Sequence, residues 1–277
     1  MIKLGSHVTF SKSNKEGEYL IGAGEFSKRI GANTMMIYLG SPRTAKRQPS
    51  SKFKIKEFKK NYFNVVLPED IVVHEPYIIN PSSILNFKFA EDVLIQDSKL
   101  MNDIGAKIMV IHPGAHTKFS RKESIEVLIQ TMKNVIKKTK DTLFCLETMA
   151  GKGTEIGNTL KELSYIINEI NSDRINICLD TCHMWDAGYD LSNSDELIKE
   201  LKKFKLLSKV KVLHINDSKN PLGAAKDRHE NIGKGFIGLK NLKKIVSLKE
   251  FDNIPMILET PYIDGKDIYK DEIKKLL

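Results

Sequence analysis

The sequence predicts an α/β protein that folds as a single (β/α)₈ TIM barrel over residues 1–277. Eight short apolar runs recur along the chain, and their starts lie about 31–45 residues apart, the length of one βα unit. Helix-like segments lie between the runs. No Gly-rich dinucleotide fingerprint follows the first run, which weakens the alternative of an open, doubly wound sheet.

The predicted strands are rich in Ile, Val and Leu, and each ends at a polar residue or at Gly or Pro. Nearly continuous apolar character is typical of parallel strands that are covered on both faces. The eight runs are 2–8, 33–39, 70–77, 107–114, 142–149, 175–183, 210–217 and 255–261.

The clearest helical pattern occupies residues 120–138, where apolar side chains repeat at i, i+3, i+4 and i+7. Ser120 followed by Glu123 predicts a capping box at its start. Ser192 and Asn193 are candidate N-caps for a later helix. The other predicted helices are 83–103, 158–171 and 194–206.

Composition excludes several classes of protein. With 41% hydrophobic residues the chain has enough apolar material for a core, and no uncharged apolar run reaches the length of a membrane span. The start of the chain lacks a signal-peptide pattern, so we expect a cytoplasmic protein. Three Cys residues do not predict a disulfide framework. The net charge of +9 suggests a polyanionic partner without identifying one.

All seven His residues are predicted to gather at one face of the barrel. Five lie at or just past the C-terminal ends of predicted strands, two lie in the loops that follow, and none is expected in a helix. Active sites of TIM barrels are built at this face. The residues are His7, His74, His112, His183 and His214 at strand ends, and His116 and His229 in loops.

Carboxylates follow the same pattern. Glu147, Asp180 and Glu259 each end an apolar run, and Asp227 lies two residues before His229. Burial of an ionised carboxylate is costly unless a cation balances it, and the strand ends supply no Lys or Arg. We therefore predict a metal centre with nine ligands: His74, His112, Glu147, Asp180, His183, His214, Asp227, His229 and Glu259.

Nine ligands are too many for one ion and suit three ions if one acid bridges. Imidazole ligands favour Zn²⁺, Mn²⁺ or Fe²⁺ over Mg²⁺ or Ca²⁺. Clustered ions of this kind are suited to the hydrolysis of a phosphodiester. No nucleophile elbow is present, and Cys182 beside His183 is interpreted as a packing residue.

The chain resembles the endonuclease IV family, zinc-dependent DNA-repair enzymes that cut at abasic sites. The matching stretches are in the family's order and include GSHV (5–8), VHEPYIIN (73–80), HPGAH (112–116), LETMAGKGTEIG (146–157), CLDTCHMWDAGYD (178–190), HINDSKNPLGAAKDRHENIGKG (214–235) and LETP (258–261). The fifth and sixth are the most specific. The resemblance implies a TIM barrel with three Zn²⁺ ions, for which Mn²⁺ or Fe²⁺ could substitute.

The resemblance also implies how the ligands are shared. His74, His112 and the bridging Glu147 would hold one ion, and Glu147 with Asp180, His214 and Glu259 a second. His183, Asp227 and His229 would hold the third. Glu147, Asp180 and Glu259 would be the catalytic acids. Metal-bound hydroxide would cleave the bond 5′ to an abasic site in duplex DNA, leaving a 3′-OH and a 5′-deoxyribose phosphate.

For DNA binding, the resemblance places Tyr77 and Ile78 where the family inserts side chains into the duplex. Arg43 is a further candidate in the second βα loop, and Lys226 would contact a phosphate, as would Lys46 and Arg47. The resemblance further implies a monomer. No membrane partner is expected, because no apolar run is long enough to span a bilayer.

Four positions depart from the family pattern: Thr148, Lys152, Trp185 and Asp186. Asp186 lies near His183 in sequence and is a candidate to adjust the third ion. Two other functions are compatible with the residues: a metal-dependent sugar isomerase, and a nucleic-acid-binding module that keeps metals for stability. Fewer than three ions would favour the isomerase, and metal without cleavage would favour the binding module.

Overall fold

A computed structural model describes all residues 1–277, and its centre is a closed barrel of eight parallel strands. The predicted TIM barrel is therefore confirmed. The barrel strands are β1 (Lys3–His7), β2 (Thr34–Ile37), β3 (Ile71–His74), β4 (Ile108–Ile111), β5 (Leu143–Glu147), β6 (Ile175–Asp180), β7 (Val210–His214) and β10 (Pro255–Leu258). Neighbours in sequence pair around the barrel, and β10 closes it by pairing with β1 and β7. Each strand lies within its predicted run.

A two-stranded hairpin interrupts the βα repeat after β7. It consists of β8 (Asp217–Ser218) and β9 (His229–Glu230), which pair in antiparallel orientation. The loop between them, residues 219–228, brings Asp227 to 3.1 Å from His183, just past the C-terminal end of β6. This hairpin was not predicted from the sequence.

Nine α-helices accompany the strands. Ser120 caps α4 through its side chain, as predicted, and α7 is capped by Asn193 and not by Ser192. Helices were expected between the strands, with bounds given for α3, α4, α5 and α7 only, and the short α6 directly after β6 was not predicted. The bounds are α1 (Leu20–Ile30), α2 (Ile55–Tyr62), α3 (Phe87–Ile104), α4 (Arg121–Lys138), α5 (Leu160–Ile170), α6 (Thr181–Asp186), α7 (Ser194–Lys203), α8 (Leu239–Val246) and α9 (Tyr269–Leu276).

Two hydrophobic cores support the barrel. The larger lies between strands and helices, and the smaller fills the barrel interior with eight buried residues. Strand β1 approaches β2 so closely at Gly5 that a Cβ atom would lie 1.8 Å from the carbonyl oxygen of Thr34, so only glycine fits there. No helix is both long and apolar enough to cross a membrane. All three cysteines are buried and free.

Candidate metal centre

A layer of polar side chains lies directly above the inner core. Side chains of a strand alternate between its two faces, so the residue two positions after an inward apolar residue also points inward. In seven strands the inward residue belongs to the small core, and in β1 the corresponding position is Gly5. The side chains two positions later are His7, Tyr38, His74, His112, Glu147, Asp180, His214 and Glu259.

Glu147 lies at the centre of this layer. Its Oε2 atom is 3.3 Å from Nε2 of His74 and 3.3 Å from Nε2 of His112. Its Oε1 atom is 3.1 Å from Nδ1 of His214 and 3.2 Å from Nδ1 of His183. Oε2 therefore faces His74 and His112 while Oε1 faces His214, the arrangement expected of a bridging carboxylate.

Backbone carbonyls fix the orientation of several imidazoles. Nδ1 of His74 lies 2.8 Å from the carbonyl oxygen of Glu75, and Nδ1 of His183 lies 2.9 Å from that of Thr148. When these nitrogens donate their protons, Nε2 of each ring keeps its lone pair toward the cluster. Metal-binding histidines typically show this outer hydrogen bond.

The nine predicted ligands come together in three groups of His and carboxylate atoms. The ligand atoms of each group lie within 4.8 Å of one another. The groups are His74, His112 and Glu147; Glu147, Asp180, His214 and Glu259; and Asp180, His183 and His229. Asp227 adjoins the last group, with Oδ1 3.1 Å from Nε2 of His183 and 3.8 Å from Nε2 of His229.

Cys178 also lies close to Glu147 and His214. Burial raises the pKa of its thiol to about 12, so it stays protonated at neutral pH and is a poor metal ligand in that form. It belongs to the small core, below the polar layer. The candidate ligand set is therefore composed of imidazoles and carboxylates.

Protons balance the charge when the centre holds no cation. Burial opposes ionisation of Glu147, but His214 and His112 outweigh it and hold its pKa well below the usual range. Burial likewise opposes charging of His112, but Glu147 raises the pKa of His112 to about 9. The acids are thus held as carboxylates beside imidazolium groups, which a metal ion would replace.

Two observations indicate that metal ions fit this site. Nε2 of His229, which lies 3.7 Å from Oδ2 of Asp180, is buried and has no hydrogen-bond partner, although buried polar atoms are normally satisfied. The only lysine or arginine paired with the nine side chains is Lys152, whose Nζ lies 3.9 Å from Oδ2 of Asp227. The donor atoms and their lack of other partners make the cluster a candidate metal site.

Three supporting residues were missed in the sequence. Glu75 is buried behind His112 and accepts a hydrogen bond from the His112 backbone N–H at 3.0 Å. Thr148 accepts one from the backbone N–H of Asp180, and Asn216 donates to Oδ2 of Asp180. Glu75 could have been found as an acid within the predicted run 70–77, directly after the ligand His74. The other two depend on contacts that sequence spacing does not reveal.

The prediction that no histidine lies in a helix is wrong. His183 lies in the short helix α6, which starts directly after β6 because the Asp180 side chain accepts the backbone N–H of His183 at 2.7 Å. His116 is in a loop outside the ligand groups, with Nδ1 2.9 Å from the carbonyl oxygen of Phe119. His7 packs on Tyr38, and burial lowers its pKa to about 4, so it stays neutral.

The predicted DNA-binding side chains lie on the surface. Tyr77 is 61% exposed and Ile78 is 37% exposed, high values for side chains of this size. Arg43, Lys46 and Lys226 are also exposed or partly exposed. A cavity of about 550 Å³ lies beside the polar layer, between the first two βα loops, and is lined by residues that include His7, Tyr38 and Tyr77.

Arg47, unlike the other cations expected to contact phosphates, is paired within the protein. Its guanidinium forms two hydrogen bonds with the carboxylate of Asp97, at 2.7 and 2.9 Å, and both side chains are almost completely buried. It also donates to the carbonyl oxygen of Thr44. Arg47 therefore anchors the second βα loop to α3.

Comparisons with known proteins identify the family. A family profile described as xylose isomerase-like TIM barrel matches residues 25–277. The chain is 52% identical to the probable endonuclease 4 of Mycoplasmopsis agalactiae over 277 residues, covering all of this chain and 98% of that protein. It is 54% identical to the probable endonuclease 4 of Mycoplasmopsis synoviae, covering 99% of that protein. The chain belongs to the endonuclease IV family. The predicted enzyme class, an endonuclease, is confirmed by this membership.

Solved structures show the same barrel in the family and beyond it. Endonuclease IV from Thermus thermophilus aligns with a TM-score of 0.81 at 22% identity, covering 99% of both chains. A D-tagatose 3-epimerase-like protein aligns with a TM-score of 0.71 at 18% identity, covering 99% of this chain and 94% of that chain. These likenesses show the shared fold, and membership of the endonuclease IV family rests on the sequence relatives.

Proposed function

We propose that this endonuclease IV family member cleaves duplex DNA at abasic sites. The bond broken is the phosphodiester 5′ to the abasic sugar, and the products are a 3′-OH and a 5′-deoxyribose phosphate. Three Zn²⁺ ions held by the nine clustered side chains are the proposed cofactor, with Mn²⁺ or Fe²⁺ as possible substitutes. DNA repair in the cytoplasm, by a monomer, is the proposed setting.

The observation that carries the proposal is the placement of Glu147. Its two oxygens face separate groups of ligands, one containing His74 and His112 and the other containing His214. Asp180 and Glu259 complete the second group. His183, Asp227 and His229 would hold the third ion. When bound, such ions supply positive charge for the phosphate and a nucleophile from water near neutral pH.

The chain's own residues would bind and open the DNA. Tyr77 and Ile78 are exposed beside the cavity and can enter the duplex as apolar wedges. Extrusion of an abasic sugar is cheaper than that of a normal nucleotide because no base has to be unstacked. Arg43 and Lys226 are placed at the surface, where their charges can contact phosphates.

The test is a nicking assay on a duplex with one abasic site and on the matched undamaged duplex. We expect cleavage of the abasic strand alone, suppression by EDTA or phenanthroline, and a new end that a DNA polymerase can extend. Glu147→Gln should abolish cleavage and retain DNA binding. Glu126→Gln is the matched control, because Glu126 is exposed on α4 and away from the polar layer.

Three results would contradict the proposal. Normal cleavage by E147Q would remove the bridging carboxylate from the mechanism. DNA binding and metal content without any cleavage would indicate a binding module. Interconversion of an aldose and a ketose, with no action on DNA, would indicate a sugar isomerase.

A further inference from the structure

The last turn of α6 holds the loop 219–228 in place. Nε1 of Trp185 donates a hydrogen bond to the carbonyl oxygen of Asn220 at 3.0 Å, and the backbone N–H of Gly223 donates to the carbonyl oxygen of Trp185 at 3.0 Å. The backbone N–H of Ala225 donates to the carbonyl oxygen of Asp186 at 2.9 Å. Two adjacent residues of one short helix therefore hold this loop at three points along its length.

The Asp186 carboxylate adds three more hydrogen bonds. Its Oδ2 accepts the backbone N–H groups of Lys226 at 3.1 Å and of Asp227 at 2.8 Å. Its Oδ1 accepts the hydroxyl of Ser218 at 2.7 Å. The side chain is 1% exposed. Because both oxygens are occupied by protein donors, Asp186 is not itself placed to bind an ion.

The backbone on either side of Lys226 adopts a conformation that non-glycine residues rarely take. Ala225 has φ 52° and Asp227 has φ 55°, both in the left-handed region. Such residues cost conformational free energy and persist only where surrounding contacts fix them. The N–H groups donated to Asp186 belong to Ala225, Lys226 and Asp227, so Asp186 supplies the contacts that fix this stretch.

In this stretch, the side chains of Asp227 and Lys226 point in different directions. The Asp227 carboxylate points inward, with Oδ1 3.1 Å from Nε2 of His183, while the Lys226 side chain lies at the surface. His183 lies in the same short helix as Asp186. Asp186 thus connects the helix that carries one ligand of the third group to the loop that carries another.

We propose that Asp186 is a positioning residue that assembles the third metal group by fixing the loop of Asp227 and His229 against α6. The inference rests on the proposed function only in taking a metal ion as the occupant of that group. Without the Asp186 carboxylate, we expect the left-handed stretch to relax and Asp227 to leave His183. Removal of an outer residue of this kind typically lowers metal affinity about 10–100-fold.

The test compares Asp186→Ala with Asp186→Asn. Asparagine keeps an oxygen that can accept both loop N–H groups, whereas alanine has none. The control is Asp190→Ala, because Asp190 is exposed and bonds only within its own turn, to the backbone N–H of Ser192. If D186A lacks a cooperative unfolding transition, Asp186→Ser takes its place, since serine cannot reach both N–H groups.

Two measurements apply to each variant. Zinc per chain is determined after dialysis against increasing chelator, and amide hydrogen exchange of the loop is followed in both the metal-loaded and the metal-free protein. We expect D186A to lose one ion at a chelator concentration at least about 10-fold lower than the wild type does. Exchange at residues 225–227 should also become faster. D186N and D190A should remain close to wild type in both measurements.

The proposal is overturned if folded D186A keeps its third ion as tightly as the wild type. It is also overturned if loop exchange is unchanged, or if D186N behaves like D186A. Absence of nicking by the wild type, with the metal and exchange results as expected, would contradict the proposed DNA cleavage and leave the role of Asp186 standing.

Discussion

Oε1 of Glu147 lies 3.1 Å from Nδ1 of His214, a contact within the ligand group that also contains Asp180 and Glu259. The other oxygen of Glu147 is committed to His74 and His112. One side chain therefore belongs to both groups, and its removal should affect both at once.

Glu147→Gln is expected to lower the zinc content by more than one ion per chain and to reduce nicking by at least about 1,000-fold, equivalent to about 4 kcal/mol of transition-state stabilisation. The amide keeps the shape of the side chain but cannot supply two anionic oxygens. Elemental analysis and single-turnover cleavage would be measured on the same preparation. Loss of only one ion would show that Glu147 does not bridge.

Proton release should make metal binding depend on pH. His112 in the metal-free protein has its pKa raised to about 9 by Glu147, against the opposing effect of burial. Since an ion needs the neutral imidazole, its apparent affinity should rise with pH up to about 9. Zinc binding with a competing chelator between about pH 6 and pH 10 would measure this rise. A flat profile in that range would contradict it.

The raised pKa of His112 also predicts how the stability of the metal-free protein depends on pH. A raised His pKa contributes stability that is fully present below the unfolded value of 6.5 and is lost as pH rises through about 9. The contribution of His112 is about 3 kcal/mol at most. Urea unfolding of metal-free protein should therefore show a lower free energy at about pH 9.5 than at about pH 6.5, and His112→Gln should reduce the difference.

The ligand positions at the strand ends follow from the sequence because strand alternation is regular. Val72 and His74, or Cys178 and Asp180, are two residues apart, so a buried apolar residue identifies an inward side chain above it. The eight apolar runs contain all eight barrel strands for the same reason. The partition among ions came from the family resemblance and stays a prediction.

What the sequence did not reveal depends on partners far along the chain. The run 175–183 is apolar for most of its length, and only the Asp180 cap separates β6 from α6. Arg47 looks like other surface cations of its loop, and its burial depends on Asp97, fifty residues away. The hairpin and its hydrogen bonds to Asp186 could not be predicted either, because no local pattern connects α6 with residues 225–227.

The Arg47–Asp97 pair should contribute to stability and not to DNA binding. Breaking a buried, bidentate ion pair leaves one charge unpaired, so Arg47→Ala should lower the free energy of unfolding by about 3–5 kcal/mol. Arg43→Ala is the contrast, because Arg43 is exposed in the same loop. Arg43→Ala should leave the free energy of unfolding unchanged. It should weaken the salt dependence of DNA binding by the amount expected for the loss of about one phosphate contact. Equal effects of both variants on stability would contradict this assignment.

Tyr77 should act in opening the duplex. Tyr77→Ala removes an exposed aromatic wedge, so nicking of abasic duplex should fall about 10-fold or more, with a smaller effect on abasic single strands. Tyr165→Ala is the matched control, since Tyr165 is 52% exposed on α5. An equal loss on both substrates would show that Tyr77 does not act in duplex opening.

The central claim is that side chains from separate strands hold three ions at one end of the barrel. Anomalous diffraction at the zinc edge, from crystals of the zinc-loaded protein, tests it most directly. We predict three peaks, two of them beside the two oxygens of Glu147 and the third beside His183, Asp227 and His229. Fewer peaks, or peaks away from these side chains, would contradict the claim.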